Sequence, residues 1–354
     1  MVVFKNIKLI DSMKRKNPQI SVLLPAFNAG KYIESSIQSI LNQTYSNFEL
    51  IILNDGSSDS TEEIIKSFKD SRIIYVKNEQ NIGLVNTLNK GLKLANGKYI
   101  ARMDADDISY IDRFSKQYLF LENNPSYIIC SSSRKNFNDS NNREHISYMP
   151  VSDSAIRISS IFGTPFTHPA VMFRKEIILK NNLFYDENFK YSEDYEFWTR
   201  ILKHGKGYNF NEVLLAYRKT PGSQTFNSTI NFKNRKKIIS SVQDKAFKSL
   251  GIELNKDELD FIFYLSLSVH IRQINFNKYP IEFIQTFFSS IESKLSQRFK
   301  TNTVLLILGK RYLKILLFNS PRLNSFQKLK LAVHKLTFFG LIYLIKERLI
   351  IRGF

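Results

Sequence analysis

The first half of the chain alternates short apolar runs with amphipathic segments, and this alternation constrains the fold more than any other feature. Apolar runs typical of buried strands occupy residues 20–24, 48–53, 72–76 and 99–103. Segments with apolar residues at helical spacing lie between them, at residues 31–41, 61–68 and 84–95. This order predicts an α/β fold with an open, mostly parallel sheet and helices on both faces.

Composition narrows the class of protein. The chain has 354 residues, 43% of them hydrophobic and 23% charged, which is ordinary for a folded protein of one large or two smaller domains. The lone Cys130 excludes an internal disulfide. Residues 1–17 lack the apolar core of a signal peptide, and no apolar run reaches the roughly 20 residues that cross a bilayer.

Polar clusters follow three of the predicted strands. They are Pro-Ala-Phe-Asn at 25–28, Asn-Asp-Gly-Ser-Ser-Asp at 54–59 and Asp-Ala-Asp-Asp at 104–107. In open α/β sheets ligands bind at the carboxyl ends of strands, so the clusters predict one common site. Neither a G-x-G-x-x-G fingerprint nor a G-x-x-x-x-G-K-[ST] loop occurs, which disfavours Rossmann dehydrogenases and P-loop nucleotide hydrolases.

The cluster at 104–107 places three carboxylates in four positions, where they repel one another. A divalent cation among the oxygens would make this favourable, and alternate positions of an extended segment let Asp104 and Asp106 face one ligand. Carboxylate oxygens suit Mg²⁺ or Mn²⁺. The alternative is an acidic loop that caps a helix starting near Ser109, and the tetrapeptide alone does not separate the two.

Two further acidic segments have both a structural and a functional interpretation. At 54–59, Gly56 predicts a tight turn, and Asp59 with Glu62 resembles a capping box. Neither feature explains Asp55, whose carboxylate could accept a hydrogen bond from a nucleobase or a ribose. In Glu-Asp-Tyr-Glu-Phe-Trp at 193–198, Asp194 fits either a helix N-cap or a general base.

Residues 225–354 differ from the first half in pattern and charge. They contain 22 Lys and Arg against 8 Asp and Glu, a net +14 of the chain's +19. This excess indicates a polyanionic neighbour, such as nucleic acid, anionic lipid or an anionic substrate, or else a solvated surface. Helices are predicted at residues 238–250, 257–274, 281–299, 304–318 and 326–351.

The series of motifs over residues 19–220 resembles family 2 glycosyltransferases. It includes ISVLLPAFN at 20–28, SILNQTY at 39–45, NDGSSD at 54–59, ANGKYIARMDADD at 95–107 and EDYEFW at 193–198. The resemblance implies a GT-A fold, with a mixed, mostly parallel central sheet followed by an α-helical region. The implied divisions are a leader at 1–18, the transferase domain at 19–224 and a basic helical region at 225–354.

The resemblance also implies roles for the donor half of the site. Pro25, Phe27, Asn28 and Asp55 would line the nucleoside pocket, with Asp55 recognising the base. Phe27 stands where Tyr is common, which keeps stacking and removes a hydroxyl. Asp104 and Asp106 would form the D-x-D motif and hold Mn²⁺ or Mg²⁺ against the donor diphosphate. Asp104 would also contact the nucleotide.

For the acceptor half, the resemblance implies that Asp194 is the catalytic base of an inverting transfer. His168, Glu193 and Trp198 are expected to contact the acceptor or a phosphate. A His before the predicted strand at 170–173 could equally bind a metal or only the backbone.

The function implied is transfer of a sugar from a nucleotide sugar, with UDP preferred, to an acceptor hydroxyl. The acceptor would be a glycan or a polyprenyl-diphosphate-linked molecule in bacterial capsule, O-antigen or exopolysaccharide synthesis.

The expected location is cytoplasmic, peripheral on the inner face of the plasma membrane. The basic helices suggest contact with anionic lipid, while core packing or a homodimer seam is an equal alternative. Nucleic-acid binding is disfavoured, because the basic residues form no known recognition module. A sugar-nucleotide pyrophosphorylase is disfavoured too, since residues 25–31 are not a Gly- and Arg-rich loop.

Overall fold

The computed structural model describes residues 17–139, 144–220 and 232–351. Their strands are β1 (Ile20–Ala26), β2 (Phe48–Asn54), β3 (Ile73–Lys77), β4 (Tyr99–Arg102), β5 (Ile108–Ser109), β6 (Tyr127–Phe137), β7 (His145–Ser147), β8 (Met172–Arg174) and β9 (Lys206–Arg218). Their α-helices are α1 (Ile33–Leu41), α2 (Thr61–Ser67), α3 (Leu84–Leu94), α4 (Arg113–Asn123), α5 (Asp153–Ser160), α6 (Lys175–Lys180), α7 (Glu193–Ile201), α8 (Phe232–Ser249), α9 (Lys256–Tyr264), α10 (Ser268–Ile271), α11 (Ile281–Ser296), α12 (Thr301–Asn319), α13 (Ser325–Ala332) and α14 (Lys335–Ile351). Short 3-10 helices lie at His168–Ala170, Glu187–Phe189 and Ser320–Arg322.

One sheet contains these strands in the order β3-β2-β1-β4-β8-β6-β9-β5, with β7 paired to β6. The long ladders are parallel: β1 with β2 and β4, β2 with β3, and β6 with β9. The short strand β8 is antiparallel to both β4 and β6 and joins the two parallel parts. The predicted mixed, mostly parallel sheet is therefore confirmed.

All seven strands and helices predicted between residues 20 and 103 are present, with ends within two residues of those expected. The apolar runs mark strands so well because β1 and β2 are buried along their whole length. A parallel strand covered by helices on both faces has no polar side to interrupt its apolar sequence.

The register of the central strands brings the polar clusters together. Ala26 of β1 pairs with Asn54 of β2, so both strands end at the same level. On the other side of β1, Leu23 pairs with Arg102, and the Met103 amide donates to the Leu23 carbonyl at 3.0 Å. The segments at 25–28, 54–59 and 104–107 consequently emerge at one edge of the sheet, as predicted.

The C-terminal helices share an apolar core that also takes in Ile158, Ile161 and Phe162 at the end of α5. The prediction of one helix at 257–274 is wrong, because α9 ends at Tyr264 and α10 begins at Ser268. The prediction at 326–351 is wrong in the same way, since α13 and α14 are separate helices. Apolar residues continue through both breaks, so periodicity does not reveal them.

The last helix packs against α12 through two glycines. A Cβ on Gly309 would lie 2.6 Å from the Gly340 backbone nitrogen, so the two backbones are in direct contact. This contact leaves the opposite face of α14 exposed, with Phe338, Leu341 and Ile345 pointing outward. Among the described residues, no helix has the length and hydropathy needed to cross a bilayer.

The predicted boundary near residue 224 falls in the segment 221–231, outside the described residues. The predicted leader at 1–18 also lies outside them, apart from residues 17 and 18. The three-part division of the chain stays a prediction.

Candidate active site

Three carboxylates converge directly after β4. One ligand oxygen from each of Asp104, Asp106 and Asp107 lies within 4.8 Å of the others. Asp107 is completely buried; its Oδ1 accepts a hydrogen bond from the Arg218 amide at 2.8 Å, and its Oδ2 has no partner within the described residues. A buried carboxylate oxygen without a donor is unfavourable, and a cation shared by the three groups would satisfy it. The residues therefore fit a divalent metal.

Burial and repulsion between the carboxylates raise the pKa values of Asp106 and Asp107. Burial, reinforced by the charge of Asp104, raises the pKa of Asp106 to about 6. Burial together with the charges of Asp104 and Asp106 raises the pKa of Asp107 well above its usual range. A divalent cation would reverse these shifts, because it favours the ionised form of every carboxylate around it.

The alternative in which residues 104–107 cap a helix near Ser109 is wrong. Ser109 belongs to β5, which pairs with Leu215 of β9. The following helix, α4, begins only at Arg113 and has Asp112 at its N-cap position. Because β5 lies between them, the acidic cluster is too far from the helix to satisfy its N-terminal amides.

Arg102, the last residue of β4, links the acidic cluster to the rest of the site. It is 3% exposed and forms an ion pair through Nη2 with Asp104. Its Nε and Nη1 have no partner among the described residues. Its charge also affects the pKa values of His168, Glu193 and Asp194. Sequence reasoning missed this residue, although an arginine inside a predicted buried strand was a usable signal.

Asp55 directly follows β2 and is only 4% exposed. Its Oδ1 accepts hydrogen bonds from Asn78 Nδ2 at 2.8 Å and from the Ile82 amide at 2.9 Å, and its Oδ2 accepts from the Gly83 amide at 3.0 Å. The carboxylate thus holds the loop at 78–83 against the end of β2. One acceptor position remains on Oδ2, and recognition of a nucleobase by Asp55 stays a prediction.

The loop after β1 is fixed by the turn after β2. Asn28 has a left-handed backbone, with φ of 49°. Its amide donates to Ser57 Oγ and its Oδ1 accepts from the Ser58 amide, both at 3.0 Å. The Phe27 side chain is 50% exposed and available for stacking, whereas Pro25 is buried within β1.

The turn at 54–59 differs from the prediction in one respect. Gly56 has φ of +72°, and a Cβ there would lie 2.6 Å from the Gln80 backbone, so the predicted tight turn requires glycine. The predicted capping box is wrong, because α2 has Ser60 at its N-cap position with no side-chain cap hydrogen bond. Glu62 instead pairs with Lys66 and Lys77.

The acidic pair Glu193 and Asp194 opens α7. Ser192 occupies the N-cap position, so the alternative that Asp194 is an N-cap is wrong. Burial raises the pKa of Asp194, and burial together with Asp194 raises the pKa of Glu193 to about 7. The positive charges of Arg102 and Arg235 oppose the shift of Asp194. A carboxylate with a raised pKa is a stronger base, which suits general-base catalysis.

His168 packs between Tyr185 and Trp198 of α7. Its Nε2 is 3.2 Å from the Tyr185 hydroxyl, and its ring meets that of Trp198 edge to face at 5.6 Å. Burial and the charge of Arg102 hold its pKa well below the usual range, so the imidazole is neutral. A neutral imidazole can hydrogen-bond to a hydroxyl but supplies no positive charge to a phosphate. Trp198 is fully buried, and the substrate contacts expected of His168, Glu193 and Trp198 stay predictions.

Comparison with known proteins places the chain in a family. A model described as Glycosyl transferase family 2 matches residues 21–182. An uncharacterized glycosyltransferase of Haemophilus influenzae is 37% identical over 220 residues, which cover 59% of this chain and 67% of that protein. The Escherichia coli UDP-Glc:alpha-D-GlcNAc-diphosphoundecaprenol beta-1,3-glucosyltransferase WfaP is 32% identical over 255 residues, which cover 69% of this chain and 92% of WfaP. The chain belongs to glycosyltransferase family 2.

The fold of this family 2 glycosyltransferase agrees with solved structures. The crystal structure of S. aureus TarS 1–349 in complex with UDP-GlcNAc superposes with a TM-score of 0.58 at 17% identity, over 93% of this chain and 92% of the TarS chain. The predicted GT-A fold is confirmed. The protein is a transferase, and its relatives include enzymes of bacterial polysaccharide synthesis.

Proposed function

We propose that this glycosyltransferase transfers a sugar from a UDP-sugar to an acceptor hydroxyl by a single inverting displacement. The observation that carries the proposal is the position of Arg102, whose charge acts on both the acidic cluster after β4 and the pair that opens α7. A donor diphosphate held at the acidic cluster after β4 would present its sugar toward Glu193 and Asp194. The preference for UDP is supported by the names of WfaP and of the TarS complex.

The metal of this proposal is Mn²⁺ or Mg²⁺, held by Asp104 and Asp106 with Asp107 in support. When bound, it would neutralise the charge that builds on the leaving nucleoside diphosphate. Arg218 and Thr220 support these ligands from the end of β9. The Arg218 Nε donates to the Asp106 carbonyl at 2.8 Å, and the Thr220 hydroxyl lies 3.3 Å from Asp106 Oδ2.

Asp194 would act as the base. As the acceptor oxygen attacks the anomeric carbon, its proton passes to the Asp194 carboxylate, and the bond from that carbon to the diphosphate oxygen breaks. The bond forms on the face opposite the leaving group, so the anomeric configuration inverts and no covalent enzyme intermediate is required. The buried walls formed by Tyr185, Phe197 and Trp198 limit competing water on the α7 side.

A screen of nucleotide sugars tests the donor class. UDP-glucose, UDP-galactose, UDP-N-acetylglucosamine and GDP-mannose are each incubated with the enzyme in Mn²⁺, Mg²⁺ or EDTA, and nucleotide release is measured. We expect release from a UDP-sugar that stops in EDTA. Release that is independent of metal, or release from the GDP-sugar alone, would contradict the assignment.

The acceptor is proposed to be a glycan or a polyprenyl-diphosphate-linked sugar, with the enzyme peripheral on the inner face of the plasma membrane. WfaP is named for a diphosphoundecaprenol-linked acceptor. The two last helices expose apolar side chains at helical spacing on their outer faces: Phe326, Leu329, Val333, Phe338, Leu341 and Ile345. No acidic residue occurs from 322 to 346, whereas Lys328, Lys330, Lys335 and Lys346 do. An exposed apolar face with basic neighbours suits an anionic lipid surface.

Vesicle binding tests this face. The full-length protein is expected to bind vesicles containing phosphatidylglycerol at low salt. Each phenyl group contributes about 1.5 kcal/mol or more when buried, so the double variant Phe326→Ser, Phe338→Ser should bind roughly 100-fold more weakly. Leu179→Ser removes a similarly exposed apolar side chain from α6 and serves as the control. A wild-type protein that ignores anionic vesicles, or that buries this face in a dimer, would refute the membrane assignment.

A further inference from the structure

The segment 184–191 leads directly into the acidic pair that opens α7, and its first part is fixed by neighbouring helices. Asn89 of α3 makes two hydrogen bonds of 2.9 Å to the Tyr185 backbone, one through Nδ2 to the carbonyl and one through Oδ1 from the amide. Arg200 of α7 donates from Nη2 to the Phe184 carbonyl at 2.5 Å. The beginning of the segment is therefore anchored to α3 and α7.

The second part of the segment contacts the C-terminal helices. Lys245 of α8 has its Nζ 4.3 Å from the centre of the Phe189 ring and 3.1 Å from Glu196 Oε1. A cation over the face of an aromatic ring is attracted by the negative charge of that face. One ammonium group thus connects three elements, which are the 3-10 turn at Glu187–Phe189, helix α7 and helix α8.

Glu196 does not depend on Lys245 to balance its charge. It is 1% exposed, and the Arg200 Nε donates to both of its carboxylate oxygens, at 3.0 and 2.9 Å. The Arg200 Nη2 adds a third hydrogen bond, to Oε2 at 2.8 Å. A carboxylate paired in this way with a guanidinium is already stabilised. What the half-exposed Lys245 adds is the connection to Phe189.

The end of the segment has a strained backbone. Tyr191 has φ of 64°, in the left-handed region that residues other than glycine rarely adopt. Such a conformation persists only where the surrounding structure imposes it. The next amide, that of Ser192, donates to the Phe189 carbonyl at 2.8 Å, and Phe189 in turn is attached to Lys245. Loss of Lys245 would therefore free the segment to relax beside the acidic pair.

We propose that Lys245 is a positioning residue that keeps the segment 184–191 closed on the acceptor side of the site. The inference rests on the proposed function, in which Asp194 receives the proton of the attacking hydroxyl. When the segment opens, water takes the place of that hydroxyl. The water oxygen bonds to the anomeric carbon, the bond to the diphosphate oxygen breaks, and the proton of the water passes to Asp194. The C-terminal helical region thus controls the ratio of transfer to hydrolysis.

Hydrogen–deuterium exchange of the full-length protein tests the attachment directly. In Lys245→Gln, the amides of residues 184–192 are expected to exchange at least about threefold faster than in wild type, because the contact with the Phe189 ring is lost. Lys245→Arg keeps a cation at this position and should exchange like wild type. Lys248→Gln is the matched control, since Lys248 lies on the same helix and pairs with Asp244 at 2.7 Å.

Release of UDP in Mn²⁺ without acceptor gives the functional readout, with UDP-glucose, UDP-galactose and UDP-N-acetylglucosamine as donors. Lys245→Gln should hydrolyse the donor at least about threefold faster than wild type, because water enters more often, and should bind UDP with Mn²⁺ equally well. A variant that was merely unstable would lose hydrolysis rather than gain it. Phe189→Leu removes the ring from the other side and should give the same gain, and it serves as the second variant if Lys245→Gln unfolds.

Two results would overturn the proposal. One is exchange at residues 184–192 that matches wild type in both Lys245→Gln and Phe189→Leu. The other is faster exchange with donor hydrolysis that is unchanged or slower, in an enzyme whose wild type releases UDP. A wild-type enzyme that releases no UDP would instead refute the proposed function, and the exchange rates would still decide whether Lys245 holds the segment.

Discussion

Replacing Asp194 with Asn is expected to lower metal-dependent turnover of the UDP-sugar by about 100- to 10,000-fold, the usual contribution of a positioned general base. The amide keeps the shape of the side chain but cannot accept the proton of the attacking hydroxyl. Donor affinity should change little, because the proposed function places the diphosphate at the cluster after β4. Steady-state kinetics combined with calorimetric titration of UDP measures both effects.

Glu193→Gln is the matched control, since it removes a carboxylate from the same turn of α7. Glu193 has a pKa of about 7, raised by burial and by Asp194. A carboxylate base works in its ionised form, so turnover rises as the pH passes its pKa. With Asp194 as the base, Glu193→Gln should lower turnover far less and should remove only an ionisation near pH 7 from the profile. Strong loss in Glu193→Gln with an active Asp194→Asn would reassign the base to Glu193.

Replacing Asp106 with Asn is expected to weaken Mn²⁺-dependent donor binding by at least about tenfold, because one oxygen ligand with its charge is lost. Without metal the same change should stabilise the protein. The folded-state pKa of Asp106, about 6, is above its ordinary value of 3.8, so the carboxylate destabilises the metal-free fold as the pH rises through that range. The asparagine variant should melt a few degrees higher than wild type at pH 7.5 in EDTA.

The two effects of this substitution have opposite signs, which makes the test specific. Wild type should gain thermal stability on adding Mn²⁺ with UDP, and Asp106→Asn should gain little. Asp112→Asn removes a carboxylate at the N-cap position of α4, outside the cluster, and should respond to Mn²⁺ like wild type. An Asp106→Asn enzyme with normal Mn²⁺ dependence would exclude this aspartate from the metal site.

Sequence patterns located the four strands up to residue 103 accurately, did not indicate β5, β6, β7 or β9, and placed the helix boundaries less well. Strands such as β1 and β2 are buried on both faces, so their ends coincide with the ends of apolar runs. The breaks between α9 and α10 and between α13 and α14 do not interrupt the apolar pattern, because the residues around both breaks still pack into one core. The expected N-cap at Asp194 and the capping box at Asp59 failed for a related reason. Residue type permits a cap, but local backbone geometry decides which residue occupies the position.

The sequence by itself determined the α/β order, the edge of the sheet at which the polar clusters meet, and the carboxylates that can hold a metal. These features can be predicted locally, because residues close together in the sequence determine whether a strand is buried and where it ends. Only the tertiary structure decided that the charge of Arg102 acts on both acidic groups and that Asp55 holds the 78–83 loop. Those relationships depend on packing between distant segments, where burial and charge act through space rather than along the chain.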